Sequence, residues 1–164
     1  MKRIPLSLFL VLVALVLVVG SALAFQMNFR AHMQANDIVS LPVGTESDAQ
    51  GQAIFQLSED GVSISYKLNV ANIDKITMAH IHAPKTTGVN GPIIVWLYPS
   101  PSSTGPGAPT ERFDGGLVSG SFSAGDLRNA FTWSDLLALM ADGGAYVNVH
   151  SSDAPAGEIN GHIH

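Results

Sequence analysis

The stretch Tyr146–His164, YVNVHSSDAPAGEINGHIH, reads as two strands joined by a tight loop. Side chains along a strand point alternately to opposite faces, so alternation divides each strand into two sets. In Tyr146–His150 the valines Val147 and Val149 form one set, and Tyr146, Asn148 and His150 the other. Ser151–Gly157 is rich in Ser, Asp, Pro and Gly, the residues of turns. From Glu158 the alternation resumes. Ile159 and Ile163 share one face, and Glu158, Asn160, His162 and His164 the other. If the Val/Ile faces look into a core, His150, His162 and His164 look away from it.

A second stretch matches this one. In Thr77–His82, Ala79 and Ile81 take one face and His80 and His82 the opposite face. Five of the six histidines therefore fall on the non-core faces of predicted strands, where a half-exposed sheet would present them at the surface.

The rest of the chain supplies the remaining strands. Phe25–Met33 alternates, with Phe25, Met27, Phe29, Ala31 and Met33 on one side; its polar set holds His32, which stands alone as a surface residue. Ser40–Gly51 is turn-rich, and Ala53, Phe55 and Leu57 mark a short second strand. Glu59-Asp60-Gly61 is a hairpin signal. It leads into the cleanest alternation, Val62, Ile64, Tyr66, Leu68 and Val70, in which Ile64 and Leu68 are expected to point inward. Ala83–Pro92 is a loop, and Ile93–Tyr98 is apolar throughout, as a central strand would be. Pro99–Thr110 reads as a flexible surface loop, and Leu117–Phe122 as another strand. Trp133–Asp142 predicts one short helix, stopped by Gly143-Gly144. About eight strands with turn signals between them predict an all-β fold, an antiparallel Greek-key β-sandwich or barrel, with one short helix near 133–142.

At the N-terminus Lys2 and Arg3 precede an apolar run from Ile4 to Phe25, with Ala22-Leu23-Ala24 as a small-x-small cleavage pattern. This reads as a secretory signal peptide over 1–24, with an uncleaved anchor as the alternative, since the run approaches the roughly 20 residues needed to span a bilayer. The expected location is extracellular, periplasmic or at the cell surface, with membrane contact only if residues 4–25 remain. There is no cysteine, so disulfides and a lipidated cysteine are excluded. Without residues 1–24 the chain has six basic against 13 acidic residues, a net charge of −7. Such a surface repels nucleic acid and tolerates cations.

The chain resembles a CHRD domain, the module named after the developmental antagonist chordin. The resemblance rests on AHIHAP at Ala79–Pro84, NGPII at Asn90–Ile94 and YVNVHSSDAPAGEINGHI at Tyr146–Ile163. It covers roughly residues 27 to 164, which sets a CHRD domain over 25–164. Ala83-Pro84 and Asn160 depart from the commoner family residues, a glycine and an arginine, without altering strands or histidines. The resemblance implies fold and extent more than activity. In architecture the chain is also similar to copper–zinc superoxide dismutases, Greek-key barrels with a His-x-His strand and a later histidine. His80, His82 and His150 match that order, while a metal-bridging histidine, a cysteine pair and a zinc site have no counterpart.

Two histidines at i and i+2 lie roughly 7 Å apart along a strand, and their rings can converge on one ion. His80 and His82 supply such a pair, and His150 is the natural third ligand from a distant strand. Imidazole suits copper, zinc, nickel or iron; the Irving–Williams order favours copper, with zinc as the alternative. Asn148 and Glu158 share the polar face and are candidates to orient ligand rings; His162 and His164 are candidate additional ligands. Two functions follow: an exported metal-binding domain, with superoxide-type redox chemistry as an extension, or a non-catalytic module that binds another extracellular protein. No cysteine nucleophile, nucleophile-elbow serine or phosphate-cradling glycine loop is present, and a hydrolase is the least favoured reading.

Overall fold

The computed structural model describes residues 27–35 and 46–164. The expected signal peptide over 1–24 and residues 40–45 of the turn-rich segment 40–51 lie outside the described residues. Eight strands are present among the described residues: β1 (Asn28–Gln34), β2 (Gln50–Leu57), β3 (Ser63–Ile73), β4 (Ile76–His82), β5 (Ile93–Tyr98), β6 (Phe113–Ser123), β7 (Tyr146–Ser151) and β8 (Ile159–His162). Among the described residues one α-helix, α1 (Trp133–Ala141), follows a 3-10 turn at Ala124–Asp126 between β6 and β7. All strand pairs are antiparallel, in the order β5-β4-β7-β8-β1-β2-β3-β6. The two ends of this sheet, β5 and β6, approach each other, so the sheet curls into a nearly closed barrel. Around the seam the order is 7-4-5-6, three consecutive strands with a fourth returning beside the first, which is the Greek key.

Alternation decides what fills the barrel. Ile64, Leu68, Phe55, Ala79, Ile81, Val147, Val149 and Ile159 are all buried in one core. Val62, expected to open the third strand, lies in the hairpin turn instead and is 59% exposed. The turn reverses at Gly61, whose φ of 73° suits a residue without a Cβ. Helix α1 begins at a reciprocal cap: Thr132 accepts from the Asp135 N–H, and the Asp135 carboxylate accepts from the Thr132 N–H. It covers the barrel with Leu136 and Met140.

The central position expected for Ile93–Tyr98 is not found. β5 is an end strand, paired only to β4. Its apolar composition has another origin. Val95 and Leu97 join the core, while Trp96 packs on the far side, its ring centroid 4.2 Å from that of His80. The free edge is closed by groups other than a strand. Arg128 N–H donates to the Ile94 carbonyl at 2.8 Å, the Asn129 side chain to Ile93 at 2.9 Å, and the Tyr66 hydroxyl to Leu97 at 2.6 Å. These bonds satisfy three carbonyls of a strand that has no second strand partner. The segment Pro99–Thr110 is tied to β4 through Gly107 N–H to Thr77 O at 2.8 Å and Thr110 N–H to Ile76 O at 3.2 Å.

Candidate metal centre

β4 and β7 lie side by side, second and third in the sheet order, with His80 opposite Asn148 and Met78 opposite His150. The core takes Ala79 and Ile81 from β4 and Val147 and Val149 from β7. His80, His82, Asn148 and His150 must then stand on the outer face. The register sets His80 and His150 as diagonal neighbours, a distance that ring side chains bridge.

The outer face is not exposed, contrary to the expectation of surface histidines. His80 is 1% exposed, and His82 and His150 are each 4%. Two loops cover them. The β4–β5 loop (residues 83–92) brings Gly91 over His82, and the β7–β8 loop (152–158) brings Pro155 and Ala156 over His150 and Asn148. Trp96 closes one side, and Tyr146 stacks on His82 with centroids 5.2 Å apart and planes 15° from parallel. A strand pattern reports which face a residue takes; it does not report what folds over that face.

Hydrogen bonds fix the rings. His82 donates from Nδ1 to the Gly91 carbonyl at 2.7 Å, and His150 from Nδ1 to the Pro155 carbonyl at 3.0 Å. A carbonyl only accepts, so both Nδ1 atoms carry the proton and both Nε2 atoms carry a lone pair. His80 Nδ1 lies 3.1 Å from His150 Nε2 and donates to it. The Nε2 atoms of His80 and His82 are buried and have no hydrogen-bond partner among the described residues. Buried polar atoms are ordinarily paired, so two unpaired acceptors beside a third imidazole are able to receive a Lewis acid or a donor.

One ligand atom from each of His80, His82 and His150 falls within a set no wider than 4.8 Å. A tetrahedral ion holds nitrogen ligands about 3.3–3.4 Å apart, so ring shifts of about 1–1.5 Å close the set on one ion. The electrostatics suit a neutral ligand. Burial pushes the pKa values of all three imidazoles below their ordinary range, and neighbouring histidines add to this for His80 and His150. For His82 the Gly91 hydrogen bond opposes the shift, and the nearby Lys85 ammonium adds to it. Lys85 donates to Asn160 Oδ1 at 2.9 Å and sits 4.8 Å from the Tyr146 ring centroid.

The other expected residues are placed differently. Asn148 is fully buried beside the histidines, donates to Ala156 O at 3.1 Å, and has no partner for its Oδ1 among the described residues. Glu158 accepts from the Ser47 hydroxyl at 2.8 Å, in a groove shared with Glu46, Asp48, Asp74 and Asp153. His162 is exposed and donates to the Gly143 carbonyl at 2.9 Å. The backbone of His164 pairs with Arg30 of β1, and the residue is exposed. Neither joins the three-histidine group. The sequence reading missed Trp96, hidden in an apolar run, and the carbonyls of Gly91 and Pro155, which have no side-chain signature.

Barrel, covered outer face and converging imidazoles together define an all-β domain with a buried three-histidine centre. A family model for the CHRD domain matches residues 29–163, and the chain belongs to that family. Comparison with curated proteins gives no match, and comparison with solved structures gives none either.

Proposed function

We propose that this CHRD-domain protein is exported and holds a transition-metal ion through His80, His82 and His150. The observation that carries this reading is the pair of buried, unpaired Nε2 atoms on His80 and His82 beside the His150 imidazole. Three neutral nitrogen donors favour copper, with zinc as the alternative, and their geometry leaves a fourth position for water or a small ligand. Superoxide-type redox chemistry would use that position. The cover over the rings favours holding the ion over rapid exchange with an outside substrate. Export rests on Lys2, Arg3, the apolar run and Ala22-Leu23-Ala24, with retention by residues 4–25 as the anchored alternative.

Calorimetric titration of the metal-free protein with Cu²⁺ and Zn²⁺ tests the reading. The expected result is one site per chain, strongly weakened by His82→Ala and by His150→Ala and unchanged by His32→Ala. No binding of either ion to the folded protein would leave the extracellular interaction module in front.

A further inference from the structure

The histidines of the proposed centre come from two strands, β4 and β7, and two of them, His82 and His150, are each oriented by a carbonyl on a different loop. Gly91 of the 83–92 loop serves His82; Pro155 of the 152–158 loop serves His150. The geometry of the centre therefore depends on how the two loops sit relative to each other. Asn90 joins them. Its Nδ2 donates to the Ala156 carbonyl at 2.6 Å, and its Oδ1 accepts from the Tyr146 hydroxyl at 3.1 Å. The same hydroxyl accepts from the Gly91 N–H at 3.0 Å, and the Tyr146 ring lies flat on His82. One amide thus ties the first loop to the second and to the aromatic platform under His82. The Ala156 carbonyl also accepts from Asn148, so the Asn90 contact falls on a carbonyl already turned toward the centre.

We propose that Asn90 is the latch of the metal centre. By joining the two cover loops it keeps the Gly91 and Pro155 carbonyls in line with His82 and His150, and it sets how fast an ion enters or leaves. It touches no metal and acts through the loops, as a positioning residue. The composition assigns Ala83–Pro92 to a loop, and the loop is present, with its tight turn at Thr86–Val89; the latch adds a second task for the asparagine side chain. The inference rests on the three-histidine reading, and it has a readout that does not need a metal.

Asn90→Ala removes both hydrogen bonds. Asn90→Asp keeps an acceptor for Tyr146 and loses the donor to Ala156, isolating the bond between the loops. Partners that orient metal ligands are worth about 10–100-fold in affinity. Both variants should release Cu²⁺ to a chelator about tenfold faster than the parent protein, with a denaturation midpoint close to the parent's. In the metal-free protein, long-range ¹H–¹⁵N spectra of the imidazoles should show single Nδ1-H tautomers for His82 and His150, and tautomer mixing in both variants. Release rates and tautomers equal to the parent's in both variants would overturn the latch while leaving the metal centre intact. No ion bound by the parent, together with tautomer mixing in both variants, would overturn the metal reading and keep Asn90 as a clasp between the loops. If Asn90→Ala fails to fold, Asn90→Asp decides: unchanged release and tautomers there overturn the latch.

Discussion

Acidification of the metal-free protein should remove stability well above the pH at which carboxylates titrate. His150 is the clearest case. Burial pushes its pKa from 6.5 down to about 4, against the opposing pull of the Pro155 carbonyl. In the unfolded chain its imidazole takes up a proton as the pH drops below about 6.5; in the folded chain it stays neutral until about pH 4. Between those values the unfolded state binds more protons, so folding stability falls as the pH falls. At about 1.4 kcal/mol per pKa unit, His150 alone removes about 2 kcal/mol between pH 6.5 and pH 5, and about 3 kcal/mol by pH 4. His80 and His82 shift in the same direction and add to the loss. Denaturant titrations between pH 7.5 and pH 5, with chelator present, measure it. His150→Gln should be less stable than the parent at pH 7.5, and should lose about 2 kcal/mol less on moving to pH 5. Parallel pH profiles for parent and variant would mean that His150 is solvated and that the cover is not closed over it.

Leu68→Ala should cost about 2–5 kcal/mol, because Leu68 is fully buried between β2 and β6, while Ser65→Ala on the exposed face should stay within about 0.5 kcal/mol. Equal shifts for the two in a denaturant titration would contradict the register. Gly91→Ala should destabilise the protein and disturb His82, because a Cβ there would stand 2.0 Å from the Ala83 carbonyl oxygen, at the neck of the cover loop. Wild-type stability and an unchanged His82 imidazole spectrum in that variant would show that the neck opens freely. Intact-mass measurement of the exported protein should give a chain beginning at Phe25; a chain that keeps Met1 in the membrane fraction would make the N-terminal run an anchor.

Much of the barrel is legible in the sequence because one face of nearly every strand is apolar. From Ile64 to Val70, and in Ala79/Ile81 and Val147/Val149, alternation alone identifies the inward residues. The same reasoning fails at β5, where apolar residues on both faces suggest a central strand. There Trp96 packs on His80, and Tyr66, Arg128 and Asn129 cap the free edge. Alternation also groups His80, His82 and His150 on one side of the sheet, and the register brings them together. It does not separate them from His162 and His164, which share the face pattern and lie elsewhere. Nor does it show that the face is covered. The cover is made by loop backbone, through the Gly91, Pro155 and Ala156 carbonyls, and carbonyl direction leaves no trace in residue identity.

Anomalous diffraction at the copper edge, from crystals of the protein grown with Cu²⁺, tests the three-histidine centre most directly. One peak is expected under the two cover loops, within about 2.0–2.1 Å of a nitrogen from each of His80, His82 and His150. A peak at His162 or His164 with none between the three buried rings would contradict it, as would His80 and His150 still hydrogen-bonded to each other with no ion between them.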